Sequence, residues 1–386
     1  MIKESRIKEN LKKFAFPRLS GTEFELKAFN MLKKEVEDLD LDYEIQKFTF
    51  SSFYSRIYPK IAFLSVTLIL FLLYLNIFII ISLIFDLILL SIVITSILLT
   101  RNPEKIPIFF RFSSQNLLVK IKTITKNIEN KDSIALFLSH IDSKGQRFKI
   151  KTRIRIIKLW ISSSFFSIIV IILKNYMFRE FEVILYIIGM LPLILNILAT
   201  LLMALNTTNN SSDGAIDNAS GITCNLELVN YYANPENRLE NLNLWFLFTG
   251  AEECGTMGIR HFYNKLKNFV PEKSIIFDLE SIDNRPFLFP GGNESDHAKN
   301  VVRLIIKNKR NFKIHPYITK RVFGTHSDGT FLGNRGFQGY GISGVQSHDY
   351  MHTPNDTIDK VDIDILKKLC LVLTDVLKEH DSHYYL

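Results

Sequence analysis

Five short segments, far apart along the 386 residues, carry side chains that bind metal ions and move protons. His140-Ile141-Asp142 follows the apolar run IALFLS at 134–139, Glu252-Glu253 follows LWFLFT at 244–249, and Asp278 closes the run SIIF at 274–277. A fourth segment, the loop Gly214 to Gly221, holds Asp217 and opens a helix; a fifth, Tyr350 to Thr357, holds His352. Runs apolar on both faces are expected to be buried parallel strands, and in an open sheet of such strands the functional crevice lies beyond their carboxyl ends. The first three segments therefore converge on one rim of a sheet. The inventory is two histidines and, Asp142 apart, four carboxylates, three to bind metal and one to spare. Imidazole and carboxylate donors without thiolate suit zinc or a similar divalent ion, and the spare carboxylate suits a general base. A lone His-X-Asp is ordinarily a surface or core-edge histidine, and a Glu-Glu pair a solvated face; it is the ordered set that carries chemical meaning.

The elements that must position these residues read as an α/β domain. Thr22 to Leu39 has helical spacing of apolar residues and is followed by the strand-like YEIQKFTF at 43–50; further helical patterns occupy 220–232, 255–268, 296–308 and 363–379. Strand and helix alternate, which predicts a mostly parallel central sheet covered on both faces, a three-layer arrangement.

Two hydrophobic blocks interrupt this domain. Residues 61–100 contain no Lys, Arg or Glu and only Asp86 as a charged side chain. One helix of that length would measure about 60 Å, roughly twice the hydrocarbon core of a bilayer, so two passes are expected, with the turn at Asn76 or toward Asp86. Residues 157–173 and 183–205, separated by the polar loop KNYMFREFE, form the second hairpin, its first arm short for a full span. The expected layout is 1–57, catalytic domain; 58–100, first transmembrane hairpin; 101–156, catalytic domain with the first ligand; 157–205, second hairpin; 206–386, catalytic domain with the remaining ligands and the base.

Composition removes other classes. The net charge of +8 is spread over helices and membrane flanks without a nucleic-acid-binding module, so no nucleic-acid partner is expected. Cys224, Cys254 and Cys370 have no paired spacing, which argues against disulfides and cysteine zinc sites. The first twenty residues lack an apolar core, so membrane targeting is expected from the internal segments.

In order and content the segments PRLSGT (17–22), SHIDS (139–143), GAIDNASG (214–221), FTGAEECGTMG (248–258), IIFDLES (275–281), HSDGTFL (326–332) and YMHTPNDT (350–357) resemble the co-catalytic zinc exopeptidases, which include bacterial leucyl aminopeptidases and glutamate carboxypeptidase II. The resemblance implies two zinc ions per chain bridged by Asp217, one also bound by His140 and Asp278, the other by Glu253 and His352. It further implies Glu252 as general base on a water between the ions, and Asp142 as the carboxylate that orients His140. Two departures stand out: Ile216 replaces a frequent acidic residue beside the bridging Asp, and the second hydrophobic hairpin is inserted between His140 and Asp217.

If His140 and Asp217 serve one centre, the chain between them crosses the membrane an even number of times, and four spans in two hairpins keep every site residue on one side. Arg56, Lys60, Arg101, Lys105, Lys149, Lys151, Arg153, Arg155 and Lys158 flank the catalytic side against Lys174 and Arg179 opposite, which predicts a cytoplasmic catalytic domain. RFKIKTRIRIIK at 147–158 is read as a basic flank continuing a strand, with attraction of anionic headgroups as the second reading. Expected partners are peptide substrates and the lipid bilayer; the oligomeric state is not specified by the sequence. Aminopeptidase is favoured over carboxypeptidase because no arginine cluster that would read a terminal carboxylate adjoins the motifs, Arg321 and Arg335 being the residues able to change that. Ser327 and Asp328 are read as shaping the pocket, and His326 as assisting the oxyanion. The rival readings are a non-catalytic membrane binding protein on the same fold, a single-zinc glutaminyl-cyclase-like transferase, and a transporter with a regulatory soluble domain.

Overall fold

The computed structural model describes residues 1–76, 84, 87–88, 90–95, 101–105, 109–124, 134–271, 274–290, 296–308 and 326–383. The chain forms two compact units: Met1–Phe50, Phe112–Gly145 and Asn209–Leu386 make the first, Ser51–Arg111 and Gln146–Thr208 the second.

Among the described residues the first unit is built on a seven-stranded sheet: β1 (Tyr43–Ser51), β2 (Arg111–Ile121), β3 (Ile134–His140), β4 (Asn243–Thr249), β5 (Ile275–Leu279), β6 (Pro286–Pro290) and β7 (Gln338–Gly344). Their order across the sheet is β1-β2-β4-β3-β5-β7-β6. The four central strands β4, β3, β5 and β7 are parallel, while β2 and β6 pair antiparallel at the flanks. The expectation of a mostly parallel α/β sheet is borne out.

Parallel register aligns Phe137 with Phe246 and with Phe277, and their rings stack at 5.1 and 4.8 Å. This aromatic row anchors the larger core, which also buries α1 (Glu4–Phe14), α2 (Glu23–Glu37), α6 (Gly221–Ala233), α8 (Asp296–Asn308) and α10 (Ile363–His383). Helix α10 presents Leu366, Leu369, Cys370, Leu373, Val376 and Leu377 at helical spacing to it. The alternate strand residues Leu136, Leu138, Leu247 and Ile276 face the other way, onto α7 (Met257–Leu266) and α9 (Asp328–Gly333). Two cores, one on each face, fix the strand register, and so fix which residues stand at the carboxyl rim.

The second unit contains α3 (Tyr58–Leu75), α4 (Ile150–Ile172) and α5 (Glu182–Ala204). With its continuation to Met177, α4 spans 28 residues, and the three helices are long and apolar enough to cross a membrane. Helix α3 ends at Asn76, which adopts the left-handed conformation (φ 50°). The expected return arm of the first hairpin lies largely outside the described residues. Two expectations change: the basic segment read as a strand is helical from Ile150, and the arm thought short for a span gains more than a turn from it. The helices pack through Leu70, Tyr74, Val170, Ile171 and Leu193, and Asn196 is fully enclosed. Its amide donates to Ser163 Oγ at 3.1 Å, Ser164 Oγ at 2.7 Å and the Trp160 carbonyl at 3.1 Å, while its carbonyl accepts from Thr67 at 2.6 Å. Asn196 thus joins α3, α4 and α5 by hydrogen bonds, a helix-contact role.

Candidate metal centre

His140 is the last residue of β3, paired in register with Thr249, the last of β4. Its Nδ1 lies 2.9 Å from the Asp142 carbonyl and 3.5 Å from Asp142 Oδ1. Its Nε2 is 3.1 Å from Asp217 Oδ1 and 3.3 Å from Glu280 Oε1. On the other side of Asp217, His352 Nε2 lies 3.1 Å from Oδ2 and 2.9 Å from Glu253 Oε1. One carboxylate therefore stands between the two imidazoles, an oxygen toward each. Among the described residues two groups of donor atoms gather closely enough for a metal ion: His140, Glu252 and Glu280, and Asp217, Glu253 and His352.

Of the residues read from the sequence, His140, Asp142, Asp217, Glu252, Glu253 and His352 come together, and Asp278 joins neither group. Asp278 is still inside β5, on the face that packs against α9, where its Oδ2 accepts the Gly329 N–H at 2.9 Å and Ser327 bonds it as well. Glu280, two residues on, has left the strand and reached the rim. The sequence reading chose Asp278, two residues before the carboxylate that gathers with His140: a buried run ending in Asp-Leu-Glu does not reveal where the ladder stops.

Asp142 does more than face His140. Its Oδ1 accepts the Glu252 N–H at 3.0 Å and its Oδ2 the Glu253 N–H at 3.1 Å, so one buried carboxylate fixes the turn that carries both glutamates. Glu25 holds the same turn from behind, accepting from Ala251 N at 2.9 Å, Ser114 Oγ at 2.8 Å and Gly21 N at 2.6 Å. Burial and then Asp142 push Glu25 up to about 8.

The Asp217 loop is gripped by a cation and an anion. Arg18, fully buried, donates to the carbonyls of Ile141 (2.8 Å), Asp213 (2.8 Å), Gly214 (3.1 Å), Phe16 (2.7 Å) and Phe14. Burial draws it down to about 10 against the pull of Asp356. Asp356 accepts the N–H groups of Ile216 (2.6 Å) and Asp217 (3.2 Å), and burial lifts it to about 7. Asn218 ties the loop to the end of β5, its amide group donating to the Leu279 carbonyl at 2.8 Å and its carbonyl accepting from Ser281 N at 3.1 Å. Gly214 makes the entry to this loop in the left-handed conformation (φ 58°), and a Cβ there would stand 2.5 Å from both Ser143 Cβ and the Asp217 carbonyl. Arg18 and Asp356 lie within motifs noted in the sequence, yet only three-dimensional contact assigns their work; Glu25 had no signal at all.

Electrostatics mark the centre as short of positive charge. Burial raises Glu252 well above the usual carboxylate range, with Glu280 adding to it, and burial carries Glu280 itself to about 8. Burial also works to raise Asp217 and Glu253, but the histidines prevail: Asp217 falls well below its ordinary value and Glu253 to about 2, helped by Lys144 at 2.6 Å. Burial favours neutral imidazole at His140, yet Glu280, Asp142 and Asp217 lift it well above 6.5. Asp217 Oδ2 and Glu253 Oε1 are buried, and both face His352 Nε2. Donors at about 2.1 Å around a tetrahedral zinc ion stand about 3.4 Å apart; the separations of 2.9 to 3.3 Å between each imidazole and its carboxylates come close to that edge. The residues present fit zinc.

Residues 199–377 match the family model described as Peptidase family M28. The fold is that of solved zinc aminopeptidases: an aminopeptidase from Aneurinibacillus sp. strain AM-1 is 12% identical with a TM-score of 0.58, covering 97% of this chain and 93% of its own. The zinc aminopeptidase BSAP from Bacillus subtilis is 12% identical with a TM-score of 0.56, covering 98% and 95%. A glutaminyl cyclase from Fimbriiglobus ruber is 13% identical with a TM-score of 0.52, covering 98% and 95%. No curated protein sequence matches the chain. The matched segment is of the M28 peptidase type and the fold is that of solved zinc aminopeptidases, so the resemblance read from the motifs is borne out. His140 lies outside the matched segment and stands beside Asp217 through the fold.

Proposed function

We propose that the protein is a membrane-embedded aminopeptidase that removes N-terminal residues from peptides with two zinc ions. The observation that carries this reading is the Asp217 carboxylate set between His140 and His352 with one oxygen toward each. His140, Glu280 and Asp217 would hold one ion; His352, Glu253 and Asp217 the other. When bound, the ions supply Lewis acidity that polarises the scissile carbonyl and makes water more acidic. Glu252 takes the proton of the attacking water and delivers it to the leaving amine. Asp142 keeps Glu252 and Glu253 in place through their backbone N–H groups, and its carbonyl faces His140 Nδ1.

N-terminal trimming fits the fate of the candidate carboxylate reader. Arg335 lies over the Phe331 ring at 3.4 Å and donates to the Phe331 carbonyl, on the side of the sheet where α7 and α9 pack. Arg321 lies outside the described residues. Ser327 caps α9 and Asp328 is buried with Thr249 as its donor, so these two support the floor beneath the site, whereas His326 is exposed.

The membrane reading places four spans in two hairpins and the catalytic domain on the cytoplasmic side. The deciding experiment measures zinc content and hydrolysis of amino-acid anilides by the detergent-purified chain, alongside cyclisation of N-terminal glutaminyl peptides. Two zinc ions per chain with chelator-sensitive anilide hydrolysis is the expected result. One ion with cyclisation alone would replace the reading by the transferase, and zinc-free chains under zinc-replete conditions by the binding protein.

A further inference from the structure

The first turns of α4 combine two features that no catalytic role uses. Between Arg147 and Lys174 the chain has no acidic residue, and none occurs from Tyr54 to Phe85. Lys151, Arg155 and Lys158 stand at helical spacing on one exposed face of α4. The same face continues with Ile154, Ile161 and Phe165, which are 45%, 57% and 59% exposed. Cations thus sit directly above bare hydrocarbon on one stripe. From Lys151 to Lys158 the helix rises about 10 Å, enough to pass through a headgroup layer. Trp160 follows at once, its ring against Phe63 at 4.4 Å and its N–H toward Thr67 at 3.3 Å, the position of an interfacial aromatic.

Helix α3 adds to this end. Phe63 at Trp160 and the Tyr74 carbonyl at Lys174 Nζ show that α3 and α4 run side by side in one direction, so Lys60 and Arg56 lie at the level of the basic turns. The other end of the same helices is different: Lys174 is buried against Tyr74 and Tyr186, and Arg179 is followed by Glu180 and Glu182.

We propose that this stripe is a binding surface for anionic phospholipid, with the headgroup phosphate on Lys151, Arg155 and Lys158 and an acyl chain along Ile154, Ile161 and Phe165. Charge alone would suit any polyanion. The apolar continuation of the same face selects a ligand that is a phosphate joined to hydrocarbon. The inference rests on the membrane reading above and extends it from topology to lipid choice: a basic flank that acts only during insertion leaves no lipid preference in the finished protein.

Trp160, on the α3-facing side of the same turns of α4, is a nearby reporter, since the only other tryptophan, Trp245, can be removed as Trp245→Phe. The full chain carrying that substitution is reconstituted into bilayers of phosphatidylcholine and phosphatidylglycerol, with one or the other brominated on its acyl chains, and quenching of Trp160 gives the relative affinity. At low salt phosphatidylglycerol is expected to be preferred at least threefold, the preference falling toward unity in 1 M salt. The double substitution Arg155→Gln/Lys158→Gln should abolish the preference at low salt while both lipids still quench. Equal quenching in the unaltered stripe overturns the proposal, as does a preference insensitive to the double substitution. Loss of the preference on replacing chloride by inorganic phosphate at equal ionic strength overturns it too, because the surface would then be reading phosphate and not lipid. No quenching by either lipid would mean that the helices are not in the bilayer, a failure of the membrane reading itself.

Discussion

Replacing Glu280 by Gln should remove zinc from the His140 position, whereas replacing Asp278 by Asn should not. Two unit charges about 4 Å apart at an effective dielectric near 20 interact by about 4 kcal/mol, so a dication gains about 8 from one carboxylate. Part of that is spent ionising a carboxyl that burial holds at about 8. Relative to an ordinary glutamate this costs about 5 kcal/mol at ~1.4 kcal/mol per decade. The remainder, about 3 kcal/mol, predicts roughly a hundredfold weaker binding of one ion in Glu280→Gln. Asp278→Asn keeps an acceptor for the Gly329 N–H and should change zinc affinity less than tenfold. Competition against a chromophoric chelator reads both affinities, and cobalt substitution reports whether the His140 position keeps its coordination. Unchanged zinc binding in Glu280→Gln together with loss of an ion in Asp278→Asn would refute the geometric assignment and restore the aspartate inside the strand as the ligand.

Glu252→Gln should retain metal while anilide turnover falls by about 10² to 10⁴, the range of a lost general base; full activity in the zinc-loaded variant contradicts the role. Asp142→Ala frees the turn bearing Glu252 and Glu253, so zinc affinity should fall about 10- to 100-fold, measured by the same chelator competition. Asp356→Ala leaves the N–H groups of Ile216 and Asp217 without their acceptor; a loss of about 1 to 3 kcal/mol in denaturant unfolding and weaker binding of both ions are expected. Glu25 titrates near 8 in the folded chain against about 4.5 when unfolded, so the folded state holds the extra proton and its stabilisation is fully present below pH 4.5. Stability should therefore decline from pH 4.5 to 8 by up to ~1.4 kcal/mol per pH unit, and Glu25→Gln should remove that slope in unfolding curves taken across the window.

Much of the scaffold was legible because burial on both faces leaves a plain signature: the runs at 134–139, 244–249 and 274–277 are β3, β4 and β5, and the helical pattern at 296–308 has the same bounds as α8. Strand β7, QGYGISG, carried no such signature. Its glycines are there for close approach: a Cβ on Gly339 would stand 2.0 Å from the Ile276 carbonyl oxygen, and one on Gly341 would meet the Phe289 ring at 1.8 Å. That strand exists through its neighbours, not through its own propensity. At the centre, the histidines and the acidic pair were readable because their residue types are few and their order is informative. The choice between Asp278 and Glu280 was not, because it depends on where the ladder of β5 ends. Arg18, Asp356 and Glu25 were beyond reach for a related reason: each acts on backbone groups of distant segments, and backbone groups have no letter in a sequence.

The placement of α4 and α5 between His140 and Asp217 also orders events during synthesis. His140 is made before these helices, while Asp217, Glu252, Glu253, Glu280 and His352 are all made after them. A nascent chain that has not yet produced α5 has one imidazole and no carboxylate partner from the later segments, so it offers zinc no complete pocket. The candidate centre is therefore completed only after both apolar helices have been made.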